Sequence, residues 1–229
     1  MLSTHVDIAE AGEAVRLFNL RFGEMEKVAW CLSRASRVEL LTKQEPLVLP
    51  ELVWKVRRWM GLQGVETVVK MIAAKAVAEI GWTVDLFDDG AFAQATERFA
   101  TDKVSCLTSR MVALGARRNE FSLASKILHW LVPSRVAVYD SYVREILQIP
   151  GFYKPAEAYE KMVAWEFEAA RKLMDKDDRW IGKIGPRSLL HALDKYLWWK
   201  GGGAEGHAVV VNDPWEIIGR LKIDCSMFD

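Results

Sequence analysis

Two side chains in the middle of the sequence, Asp140 and Lys126, are of types that catalyse bond cleavage. A carboxylate can stabilise a developing positive charge or can activate a water molecule as a general base. A lysine can attack an electrophilic carbon once it has lost its proton, which requires burial or a neighbouring cation. Asp140 and Lys126 are therefore the candidate catalytic residues.

Residues 121–147 position both side chains, and their pattern predicts a helix, a connector and a second helix. Apolar residues at helical spacing mark one face of the first helix, namely Leu123, Ile127, Trp130 and Leu131. Pro133 then ends this helix. Asp140 and Ser141 form a good N-cap for the second helix, so Asp140 is expected at a helix start.

Two short motifs carry a resemblance to a known family. Around the aspartate the sequence reads Val138, Tyr139, Asp140, Ser141, Tyr142, Val143, Arg144. Upstream there is a Ser-Lys-x-Leu-His-aromatic run, formed by Ser125, Lys126, Leu128, His129 and Trp130. Together these motifs resemble the helix-hairpin-helix DNA glycosylase superfamily, in particular its small 8-oxoguanine-glycosylase-like members. The resemblance as a whole covers about a quarter of the chain.

The resemblance implies an all-α, multi-helix, glycosylase-like fold that needs no cofactor. Asp140 would be the active-site carboxylate, and a base flipped out of the DNA stack would enter a pocket between helical lobes. An arginine and an aspartate flank the last core helix in these relatives, and Arg187 and Asp194 are the matching residues.

The hairpin itself departs from the family pattern. Residues 103–114, 115–119 and 122–131 can supply its two helices and turn, but the usual Leu-Pro-Gly-Val-Gly turn is absent, which makes the hairpin degenerate. No lysine stands at residues 119–122, where the catalytic lysine of lyase-type relatives begins the second helix. Lys126 is the nearest substitute. It lies on a polar face expected to be solvated, so covalent lyase chemistry is not expected.

The charge distribution is more informative than the net charge, which is zero. Residues 101–200 contain 17 Lys and Arg against 12 Asp and Glu. Because phosphate binding is mainly electrostatic, the zero net charge argues weakly against a protein devoted to nucleic acid. The local surplus and the family resemblance together favour DNA as a partner. The candidate substrate- or DNA-binding residues are Arg117, Arg118, Ser122, His129 and Arg144. The alternative is an ordinary solvated helix face.

Composition predicts a protein of ordinary globular character. The chain has 229 residues, of which 51% are hydrophobic, and no apolar run is long enough to cross a bilayer. Its first residues do not resemble a signal peptide, so a cytoplasmic location without membrane contact is predicted. Cys31, Cys106 and Cys225 are widely separated, which favours buried thiols over a disulfide or a metal site, and no metal is expected.

Three regions are predicted: an N-terminal helical lobe over 1–100, a helix-hairpin-helix-like lobe over 101–200, and a C-terminal arm and helix over 201–229. At the start of the chain the periodicity predicts one helix over 8–22 and a second over 23–41. Within the middle region, helices are expected over 91–100 and 103–114, with Thr101 and Asp102 capping the latter.

Two functions follow from these residues. The first is a DNA-binding, glycosylase-like protein that recognises or excises a damaged base. The second is a non-enzymatic helical module that binds DNA or a partner protein. In the second case Asp140 has a purely structural role, capping its helix and pairing with Arg144 at i,i+4.

Overall fold

The computed structural model describes residues 2–42, 46–59, 67–87, 96–116, 120–150, 153–176, 188–203, 215–223 and 225. These residues form α-helices and a 3-10 turn without any β-strand, so the fold class is all-α, as predicted. No helix among them combines the length and apolar character of a membrane span. The helices are α1 (Ile8–Thr42), α2 (Leu49–Trp59), α3 (Thr67–Ala78), α4 (Glu97–Ala113), α5 (Phe121–Leu131), α6 (Ser141–Ile146), α7 (Pro155–Lys176), α8 (Leu189–Lys200) and α9 (Glu216–Leu221).

The first helix, α1, is continuous over 35 residues, so the predicted break before Gly23 is wrong. A glycine inside a helix costs about 1 kcal/mol, which tertiary packing readily offsets. Both halves of α1 have buried positions, such as Ala14 before the glycine and Leu32 after it. The helix packs along α8 and also contacts α2 and α5.

A single helix, α4, replaces the two predicted over 91–100 and 103–114, and residues 91–95 lie outside the described residues. Its N-cap is Thr96, whose hydroxyl accepts a hydrogen bond from the backbone N–H of Phe99. Thr101 does not cap a second helix, because its hydroxyl donates to carbonyls one turn earlier in the same helix. The helix ends at Ala113, and Gly115 just after it takes the left-handed conformation (φ +105°) that glycine accommodates best.

The helix α5, which carries Lys126, lies deep in the molecule and contacts α1, α2, α4 and α7. Its apolar positions join a hydrophobic core that includes Tyr159 and Phe167 of α7. The buried cluster has members from before and after residue 100 and also includes Ile217 and Ile218 of α9. The division into lobes at residues 100 and 200 stays a prediction.

Cys31 of α1 and Cys225 form a disulfide, which corrects the prediction of buried thiols. Their Cα atoms are 5.6 Å apart, within the usual range for such a bond. The two residues are 194 positions apart in the sequence, so their spacing carries no signal of the pairing. Cys106 is a free thiol and is exposed.

Candidate functional site

The connector between α5 and α6, residues 132–140, is an irregular segment that is buried up to residue 139. Irregular backbone is normally found at the surface, because its N–H and C=O groups need hydrogen-bond partners. Here side chains from three helices supply those partners. The position of Asp140, at the end of the connector, therefore depends on them.

Four side chains bond to the connector backbone. The hydroxyls of Ser188 and Tyr159 donate to the carbonyls of Pro133 and Ala137, at 2.5 and 3.1 Å. The N–H of Tyr139 donates to the Ser125 hydroxyl at 3.0 Å. The fourth bond joins His129 Nδ1 to the Val136 carbonyl at 2.6 Å. The Ser125 and His129 positions of the Ser-Lys-x-Leu-His run thus hold the connector.

His129 is therefore removed from the predicted set of DNA-contacting residues. Its side chain is buried. Its second ring nitrogen, Nε2, lies 2.7 Å from His191 Nδ1 of α8. Burial lowers the pKa of His129 to about 4, so the ring is neutral at pH 7.

Asp140 and Lys126 lie together at the start of α6. One carboxylate oxygen of Asp140 accepts the N–H of Val143 at 2.9 Å, which confirms the predicted N-cap. The other oxygen lies 3.5 Å from the ammonium of Lys126. The side chains are 16% and 19% exposed, so Lys126 is not on the solvated face that the sequence predicts. Both side chains thus keep a small exposed fraction.

Two further carboxyl groups interact electrostatically with Asp140. Asp194 of α8 is half-buried, and burial raises its pKa to about 7. The charge of Asp140 raises the pKa of Asp194 further, whereas Lys126 opposes the increase. A group with this pKa can donate a proton near neutral pH. The resemblance to the glycosylase family indicates Asp194, and its pKa is set by the tertiary structure.

The third carboxyl group belongs to Glu166 of α7, which sequence reasoning missed. It is fully buried, and within the described residues neither oxygen has a hydrogen-bond partner. Burial raises its pKa well above the usual range, and the charges of Asp194 and Asp140 add to this shift. The available signal was an acidic residue in the apolar stripe of α7 formed by Met162, Val163 and Phe167.

The other predicted residues have different placements. Ser122 is half-buried, and its carbonyl accepts the Ser125 hydroxyl at 3.1 Å. If Asp140 has a purely structural role, Arg144 is expected to pair with it. In the structure the Arg144 guanidinium donates instead to the carbonyls of Ile149 and Pro150. The remaining predicted positions, Arg117, Arg118 and Arg187, lie outside the described residues.

A separate cavity of about 570 Å³ is lined by Glu26, His191 and Lys195 but not by Lys126 or Asp140. Glu26 Oε1 is 2.5 Å from His191 Nε2 and 2.6 Å from the Lys195 ammonium. All three side chains are buried. Burial lowers the pKa of His191 to about 3, and the positive charge of Lys195 adds to the effect.

Within the described part of the chain, no three His, Cys, Asp or Glu side chains are placed to hold a metal ion. Comparison with protein-family models, curated proteins and solved structures finds no match for this chain.

Proposed function

We propose that this protein binds DNA and cleaves the bond between a damaged base and its deoxyribose. The observation that carries the proposal is the 3.5 Å pair of Lys126 and Asp140 at the start of α6. Asp194, whose pKa is raised to about 7 by burial and by the charge of Asp140, adds a proton donor. Enzymes that act on a base first extrude it from the stack, because the bond is not reachable inside the duplex.

The reaction is a hydrolysis in which Asp194, Asp140 and a water molecule have separate tasks. The glycosidic C–N bond breaks, and the base leaves with a proton from Asp194. The carboxylate of Asp140 stabilises the positive charge that develops on the deoxyribose. A water molecule then attacks the sugar carbon and transfers a proton to Asp140. Atoms and charges balance, and no cofactor is required.

Lys126 orients Asp140 and does not act as a nucleophile in this mechanism. It pairs with a carboxylate, whereas a neighbouring cation is what activates many lysine nucleophiles. We therefore expect borohydride to trap no Lys126-dependent covalent adduct with DNA. A robust adduct that disappears in Lys126→Gln would assign covalent chemistry to this lysine.

The variant Asp140→Asn tests the proposal, because asparagine also caps a helix but lacks the negative charge. Duplex oligonucleotides carrying single damaged bases would be incubated with each protein, and alkali would cleave the abasic product. We expect base release to fall at least about a hundredfold. The DNA affinity should change by less than about threefold, since Asp140 does not carry the electrostatic binding.

The matched control is Glu145→Gln, which removes an exposed carboxylate from the same helix. This control should keep the wild-type rate of base release. An unchanged rate in Asp140→Asn would remove Asp140 from the active site. DNA binding without release of any tested base would favour the non-enzymatic DNA-binding module, and no binding at low salt would favour a protein-interaction module.

A further inference from the structure

A buried chain of hydrogen bonds links the connector to α1. It runs from the Val136 carbonyl to His129, from His129 to His191, and from His191 to Glu26, at 2.6, 2.7 and 2.5 Å. The three side chains come from α5, α8 and α1. Each is at most 6% exposed, so the chain lies within the protein interior.

The chemistry of the acceptors determines the direction of the chain. The Val136 carbonyl can only accept, so His129 carries its hydrogen on Nδ1. The neutral ring then accepts at Nε2, which requires His191 to donate from Nδ1. The outer nitrogen of His191 and the oxygen of Glu26 therefore need a proton between them at 2.5 Å.

Both possible positions of this proton keep the direction of the chain. The proton lies either on His191 Nε2 or on the Glu26 oxygen, because these two atoms face each other at 2.5 Å. Lys195 donates to the same oxygen at 2.6 Å and also lies 3.3 Å from Asn19 Oδ1. Its ammonium is 4.7 Å from the centre of the Phe18 ring. These contacts hold Glu26 in place on α1.

We infer that His191, oriented by Glu26, is a positioning residue for Asp140. It holds the His129 ring in the orientation and tautomer that bind the Val136 carbonyl, four residues before Asp140 in the connector. This role in base release rests on the proposed function. The hydrogen-bond chain itself can be tested whether or not the protein releases a base.

The first experiment uses the wild-type protein, with nitrogen NMR of labelled histidine side chains. His129 should carry hydrogen on Nδ1 and none on Nε2, and His191 should carry hydrogen on Nδ1. Hydrogen on Nε2 of His129 would overturn the inference. This measurement requires no variant. It therefore tests the direction of the hydrogen-bond chain even if substitutions at His129 or His191 prevent folding.

The second experiment uses His191→Leu, which removes the donor to His129 but leaves the contact of Lys195 with Glu26. Val143 reports on Asp140, because its N–H is held by the Asp140 carboxylate. We expect hydrogen exchange at Val143 to accelerate about tenfold relative to amides of α3, since local opening becomes easier. Single-turnover base release should fall about tenfold to a hundredfold at unchanged DNA affinity.

The control is Glu24→Gln, two positions from Glu26 on the same helix and outside the hydrogen-bond chain. It should match the wild type in both measurements. Unchanged exchange at Val143 in His191→Leu overturns the inference, and so does unchanged base release in an active protein. If the wild type releases no base, the proposed function fails, while the NMR and exchange results still decide the positioning role.

Discussion

Three carboxyl groups near the start of α6 differ because their surroundings differ. Asp140 accepts a backbone N–H and pairs with Lys126, so its negative charge has partners. Asp194 is half-buried beside that charge, which raises its pKa to about 7. Glu166 is fully buried and its pKa is raised well above the usual range. Environments that separate carboxyl pKa values in this way suit acid and base roles.

The pKa of Asp194 predicts a specific dependence of stability on pH. The folded-state pKa is about 7, raised from an ordinary value of 3.8, so the native state binds this proton more tightly. The resulting stabilisation is fully present below pH 3.8 and is lost as the pH rises through 7. We expect the unfolding free energy of wild type minus that of Asp194→Asn to decrease with pH in this window, by at most about 1.4 kcal/mol per unit.

Urea denaturation of both proteins between pH 4 and pH 8 measures this difference. His129 and His191, whose pKa values are lowered, contribute the opposite slope, because they lose stabilisation as the pH falls. Since both histidines are present in both proteins, their contribution largely cancels in the difference. A difference independent of pH would contradict the raised pKa of Asp194.

At the scale of elements, the connector is held by side chains rather than by regular backbone pairing. This arrangement predicts that removing one hydroxyl destabilises the protein. Tyr159→Phe leaves the Ala137 carbonyl without the donor that now lies at 3.1 Å. We expect the unfolding free energy to fall by about 1–3 kcal/mol, measured by urea denaturation.

Tyr142→Phe is the matched control, because this tyrosine on α6 is 39% exposed and its hydroxyl group can be solvated. The change should stay within about 0.5 kcal/mol. Equal effects of the two substitutions would show that the bond to Ala137 does not stabilise the connector.

At the scale of the whole molecule, the disulfide cross-links two distant parts of the sequence. Cys225 is linked to Cys31 of α1 across a separation of 194 residues. Such a bond restricts the unfolded chain, and its removal typically costs about 2–4 kcal/mol. We expect Cys31→Ser to lower the unfolding free energy by this amount.

Thiol titration provides a direct check. Protein unfolded without reductant should show one reactive thiol, from Cys106, and three after reduction, because the sequence has three cysteines. Cys106→Ser should leave the stability unchanged, since this thiol is exposed. Three reactive thiols before reduction would contradict the disulfide. Disulfides are rare in the cytosol, so this bond does not support the predicted cytoplasmic location. That location stays a prediction.

The amino-acid sequence by itself determined the features that depend on residues close together in the chain. The N-cap of α6 is such a feature, because Asp140 and Val143 are three positions apart and a local bond satisfies the helix end. The all-α class follows similarly from apolar periodicity. The resemblance to a glycosylase also indicated Asp140 and Lys126, but not their separation or exposure.

Only the tertiary structure decided which helix faces meet. His129 and His191 are 62 positions apart, and Cys31 and Cys225 are 194 apart, so no local pattern indicates either contact. The pKa of Asp194 has the same origin, because burial raises it. Local hydrogen bonds form between residues that the chain already holds close together, whereas these contacts require α1, α5 and α8 to pack in one particular arrangement.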